Sequence, residues 1–157
     1  MSILSEEAIA GLIGEPKVIP PNLFPLGKLL SRNQHKRREY DVDSASGNRF
    51  VIYIRQSDLN IMNFSVILGY RLPDVHTVFR LRRYNGKHQH TNVLEKLTFY
   101  DFHVHTATLR YQAPGFKEDH FAETTRRYAT LEGAVQCLIA DCGFKTFEDT
   151  PLFREDI

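Results

Sequence analysis

The chain has 157 residues, 42% of them apolar and 25% charged, with a net charge of +1; this supports one folded domain and excludes a disordered chain. It holds no run of about 18 apolar residues, which excludes a membrane-spanning helix. The two glutamates of the opening MSILSEEAIAGL argue against a secretory leader.

Ser5 is suited to cap a short helix running to Ile13, with Glu6 and Glu7 in its first turn and Gly14 and Pro16 as its stop. Pro16, Pro20, Pro21 and Pro25 make residues 15–26 an extended arm. Ile19, Leu23, Phe24 and Leu26 are too apolar for a free linker, so the arm is expected to wrap the domain or to lie on a protein partner. REYDVD, the turn-rich SASGN and RFVIYIRQ then predict a hairpin with Phe50, Ile52 and Ile54 on one face. FSVILGYRL predicts a further strand, broken by Pro73-Asp74, and VHTVFRLRRY the next. Asn85-Gly86 predicts a two-residue turn with positive φ, after which residues 87–93 return beside the strand before them. LTFYDFHVHTATLRYQ is expected to be one long last strand, ended by Ala113-Pro114-Gly115. Leu131, Ala134, Val135, Leu138, Ile139 and Cys142 recur at helical spacing, with Gly143 as the stop.

These elements predict an α+β domain: a single antiparallel meander of about six strands, a short N-terminal helix, and a C-terminal helix packed on the sheet. Residues 1–157 form one domain in this reading, with 1–27 the helix and proline-rich arm, 28–145 the core and 146–157 an acidic tail. Cys137 and Cys142 lie five residues apart in the last helix and point to different faces; two unpaired thiols fit a reducing, cytoplasmic setting.

The charge is unevenly distributed. Residues 28–38 hold Lys28, Arg32, Lys36, Arg37 and Arg38 without an acid, and residues 71–90 hold Arg71, Arg80, Arg82, Arg83 and Lys87 against Asp74 alone. A nearly neutral chain arranged this way can present a positive face, although blocks of charge are also common on solvated strands and loops.

The most informative chemistry is two H-x-H pairs, His88/His90 and His103/His105, which place four of the seven histidines within eighteen residues. On strands, residues i and i+2 share a face, so each pair presents two imidazoles together. The expected turn sets His88 and His90 opposite Arg83 and Leu81, leaving Arg80 and Arg82 on the other face. Pairing of 90 with 103 and 88 with 105 would then bring all four rings to one surface. Weighed against polar decoration of strands, clustered titratable groups favour a functional site.

Histidines can serve as paired acid and base, and such a pair suits cleavage of a phosphodiester through an RNA 2′-hydroxyl. Arg80, Arg82, Arg83, Lys87 and Arg110 would hold the phosphate, and Tyr84 and Tyr111 would stack a base or donate a hydrogen bond. This chemistry needs no cofactor. The alternative is a zinc or iron site made by His88, His90, His103 and His105. His88, His90 and Glu95 also read H-x-H-x4-E, similar to the first metal motif of cupins, without that family's glycine pattern or its second motif. No G-x-S-x-G elbow, Walker loop or H-E-x-x-H occurs.

RLRRYNGKHQHTN followed by FHVHTATLRYQ, within residues 80–145, resembles a group of short prokaryotic proteins with an H-x-H strand after a basic hairpin. That resemblance implies no activity, cofactor or partner. Small proteins of this layout also occur in toxin–antitoxin and phage–host conflict systems, which is analogy at the level of the fold. The leading expectation is a metal-independent endoribonuclease or nucleotide phosphodiesterase acting on RNA or a nucleotide. A non-catalytic inhibitor or antitoxin-like protein that binds through the arm 15–26 is the alternative, and a metal-dependent enzyme the third.

Overall fold

A computed structural model of the chain describes residues 3–24, 26, 30–32, 35–73 and 75–145; Pro25, Lys28 and the acidic segment 146–157 lie outside the described residues. In chain order the elements are α1 (Glu6–Gly14), β1 (Lys17–Val18), β2 (Leu30–Arg32), β3 (His35–Asp43), β4 (Arg49–Ser57), β5 (Phe64–Arg71) and β6 (Val78–Asn85). There follow β7 (His90–Asn92), β8 (Leu97–Phe99), β9 (His103–Thr106), α2 (Leu109–Gln112), β10 (Ala122–Thr124), α3 (Leu131–Asp141) and β11 (Phe144–Lys145). The architecture is α+β. A seven-stranded antiparallel sheet has the order β10-β9-β6-β5-β4-β3-β2, so β2 to β6 form the meander and β9 and β10 extend it.

Local chemistry explains the helices. The Ser5 hydroxyl accepts from the Ala8 N–H at 3.0 Å and starts α1. Thr130 caps α3 through the Gly133 N–H at 3.0 Å. Leu131, Ala134, Val135, Leu138 and Ile139 then form the buried stripe of α3, and a fully buried leucine or valine contributes about 2 kcal/mol. The stripe packs on one face of the sheet, where Tyr40, Ile52 and Leu68 are aligned across three strands and buried. The arm belongs to the same core: Leu23 is fully buried, and Ile19 and Leu26 pack against it. Thus three of the four apolar residues that suggested a partner for the arm are packed on its own domain, while Phe24 stays exposed.

Lys17 joins two helix ends. Its buried Nζ donates to the carbonyls of Leu12 at 2.7 Å and Ile13 at 2.8 Å at the end of α1, and of Cys142 at 2.7 Å after α3. β1 pairs with β11 in parallel beside this contact. Cys137 and Cys142 are both free thiols.

Two expected features differ. Asn85-Gly86 is not a hairpin turn. The chain runs on past Asn85, and the Gly86 and Lys87 N–H groups donate to the carbonyls of Phe64 at 2.8 Å and Met62 at 2.9 Å. A Cβ on Gly86 would lie 1.9 Å from the Met62 oxygen, so this glycine permits close backbone approach rather than a positive φ. β6 therefore pairs with β9 instead of residues 87–93. The expected long last strand is also divided: β8 pairs with β7 in a separate hairpin, β9 enters the main sheet, and Thr108 caps the short α2.

Candidate functional site

The face of the sheet opposite α3 carries the histidines. His103 and His105 alternate with Val104 on β9, so both rings point to that face while Val104 packs towards the core. The β7–β8 hairpin supplies His90, and His88 precedes it. The four rings do converge, by a different route from the expected strand pairing. His90 pairs in the backbone with Phe99, and the rings meet as side chains: His88–His103 at 4.8 Å, His90–His103 at 5.5 Å, His90–His105 at 4.7 Å and His103–His105 at 5.0 Å between centroids. His120, from the loop before β10, adds a fifth ring 5.1 Å from His90.

Hydrogen bonds determine the tautomers. His103 Nδ1 lies 2.7 Å from the Asp101 carbonyl and His105 Nδ1 lies 2.7 Å from the Asp119 carbonyl. A carbonyl only accepts, so each Nδ1 carries the proton and each Nε2 keeps its lone pair. His90 Nε2 lies 2.9 Å from Asn92 Oδ1. The Asn92 side chain is itself oriented by the backbone of Ala122, donating from Nδ2 at 2.7 Å and accepting at Oδ1 at 3.0 Å. The neutral His90 ring therefore donates from Nε2 and has its lone pair on Nδ1.

Burial keeps these rings neutral. It draws His105 down to about 2 and His103 down to about 4, with the neighbouring histidines and Arg83 adding to the effect. His88 and His90 are also lowered, chiefly by burial. One potential ligand nitrogen from each of His90, His103 and His105 lies within 4.8 Å of the others. Some point is thus within about 2.8 Å of all three, and a modest closure reaches the 2.0–2.1 Å of a zinc–imidazole bond. The carbonyl partners on the far nitrogens of His103 and His105 are the kind of support that metal-bound imidazoles use. His88 Nδ1 is buried without a hydrogen-bond partner among the described residues.

The expected phosphate ligands are arranged differently. A bulge on β6 opposite Leu68 and Gly69 inserts Leu81 as an extra residue, so Arg80 and Arg83, not Arg80 and Arg82, share a face. Both reach Asp119, which is 2% exposed: Arg80 Nε at 3.3 Å and Arg83 Nη2 at 3.0 Å. Arg80 also pairs with Glu118 at 3.5 Å. Arg82 lies on the helix-covered face and pairs with Asp141 at 3.4 Å. Tyr84, fully buried there, donates to Asp141 at 2.7 Å and cannot stack a base. Arg110 pairs with Glu95 beside the hairpin, and Tyr111 is fully buried with its hydroxyl on the same carboxylate. Lys87 is exposed. Of the expected substrate ligands, Arg83 pairs in the sheet with His105, and the buried Tyr111 stacks on His120 at 5.2 Å.

Sequence reasoning missed His120, Asp119 and Asn92. Each is a single polar residue, two in a loop and one ending a three-residue strand, and none carries a periodic or motif signal. Comparison of the chain with protein-family models, curated proteins and solved structures gives no match, so the site is interpreted from its own chemistry.

Proposed function

We propose that the protein is a metal-dependent phosphodiesterase in which His90, His103 and His105 hold a divalent metal of the zinc or iron type. The observation that carries this reading is the convergence of three neutral imidazoles, two of them with tautomers set by backbone carbonyls. Three nitrogen ligands with a further position open are the pattern of a catalytic site. A metal held there would supply a water nucleophile at neutral pH and polarise the phosphoryl oxygen. In that chemistry the water oxygen would bond to phosphorus as the P–O bond to the leaving alcohol breaks, and the proton of the water would end on that alcohol. Arg83, beside His105, carries charge suited to the phosphoryl oxygens.

A metal-free route through the same histidines, with a 2′-hydroxyl as nucleophile, draws less support. It needs one ring to hold a proton at neutral pH, and burial opposes that most strongly at His103 and His105.

The purified protein should retain about one zinc or iron per chain after dialysis, and a chelator should lower its melting temperature, because ligand binding stabilises the native state. Hydrolysis of bis(p-nitrophenyl) phosphate should stop on chelation and return when the metal is restored. His105→Gln should lose the metal and at least about 100-fold in rate. Undiminished hydrolysis in excess chelator, with no retained metal, would refute the proposal.

A further inference from the structure

The open face of the sheet carries a second arrangement, built from residues outside the histidine cluster. Backbone pairing puts Arg37 opposite Arg55, Arg55 opposite Ser65, Ser65 opposite Asn85, and Asn85 opposite His103. The result is one row crossing five adjacent strands, from β3 through β4, β5 and β6 to β9. The neighbouring row reads Glu39, Tyr53, Ile67, Arg83 and His105. Between them lies a groove of about 610 Å³, lined by Arg37, Glu39, Tyr53, Arg55, Ile67 and Arg83 among others.

We infer that this groove is the track for a single-stranded nucleic acid, whose phosphates lie on Arg37 and Arg55 and whose chain leads past Arg83 into the histidine cluster. The inference rests on reading that cluster as the reacting centre, and it names the substrate class.

Charge is the first argument. Arg37 and Arg55 are like charges directly opposite each other on neighbouring strands, a destabilising arrangement. Both are exposed, and neither forms an ion pair or hydrogen bond among the described residues. By contrast, Arg71, Arg80, Arg82 and Arg83 each hold a carboxylate. A polyanion lying across the row would relieve the repulsion. Glu39, the acid in the groove, is drawn to Arg71 at 3.9 Å.

Shape and side-chain type supply the second argument. Tyr53 and Ile67 are half-buried neighbours in the second row, forming an aromatic and apolar strip beside the arginines. Bases of a single strand can stack on such a strip while the phosphates follow the charge. Bases in a duplex are already stacked on one another and have no free face to present. Five strands span about 19 Å, which suits a short single-strand site of about four nucleotides. The neighbouring row leads through Arg83, which is partly exposed, to His105, so a chain in the groove brings a backbone phosphate to the edge of the cluster.

Fluorescence anisotropy with the full chain and labelled eight-nucleotide strands of uridine or thymidine tests the inference. Arg37→Gln/Arg55→Gln should weaken binding at least about 10-fold and reduce the slope of log K against log salt by about 1.4, two contacts at about 0.7 each. Unchanged metal content and a melting temperature no lower than the parent's would show that this variant is folded. Tyr53→Ala should weaken binding further, because it removes a stacking surface. The inference is overturned if the double arginine variant binds as the parent does, or if a duplex or a polyglutamate peptide binds as tightly as the single strands. If His105→Gln leaves hydrolysis intact while the arginine dependence persists, the track stands and the reading of the cluster as reacting centre falls.

Discussion

At the scale of the residue, Asp119 does the most to organise the site. Its carboxylate holds Arg80 and Arg83, and its carbonyl accepts from His105 Nδ1. Replacing it by alanine keeps the carbonyl but leaves the half-buried guanidinium of Arg83 unpaired and Arg80 with Glu118 alone. Asp119→Ala should therefore destabilise by about 3 kcal/mol, the lower end for losing one partner of a buried ion pair. Urea denaturation measures this, and a loss under about 1 kcal/mol would show the arginines to be well solvated. The histidines make a pH prediction. His103 and His105 titrate near 4 and 2 in the fold, against 6.5 for the unperturbed ring. Below pH 6.5 the unfolded chain thus binds more protons than the folded one, and stability falls as pH falls. In metal-free protein the urea midpoint should drop steadily from about pH 6.5 to 4, where His103 begins to take its proton. A flat midpoint over that window would contradict the burial of these rings.

At the scale of the element, the β7–β8 hairpin depends on Asn92. This side chain is 1% exposed and imitates a strand partner, exchanging two hydrogen bonds with the Ala122 backbone. Asn92→Ala should loosen the hairpin from β10 and free His90. Hydrogen exchange should then quicken in residues 90–99 while β4 and β5 stay protected, and metal affinity should fall about 10- to 100-fold. Unchanged exchange in the hairpin would mean that other contacts hold it. The elements also show what could be read from the chain. Ser5, the alternation in β3 to β5 and the stripe of α3 are local signals, and they located their elements closely. Asn85-Gly86 misled because its glycine answers a tertiary need, the nearby backbone of Met62, which is invisible along the chain. The H-x-H pairs marked the site because i,i+2 spacing is itself a local signal. The arginines were harder to assign, since one bulge at Leu81 changed which of them share a face.

At the scale of the whole molecule, the sheet divides the labour between its faces. One face is closed by α1, α3 and the arm; the other is open, carrying the paired arginines of β3 and β4 at one side and the histidines under the hairpin at the other. No described helix is long and apolar enough to cross a membrane. The parallel contact of β1 with β11 has a consequence for how the molecule is made. Lys17 is in register with Phe144, so the contact joins two segments 127 residues apart. Strands β3 to β6 pair with their sequence neighbours and can assemble while the chain is still being translated. The arm has no such option, because its lysine must wait for the carbonyl of Cys142. The arm is therefore made before the meander and docks after it. Until residue 144 emerges, the apolar side chains of the arm are exposed to whatever else in the cell can cover them.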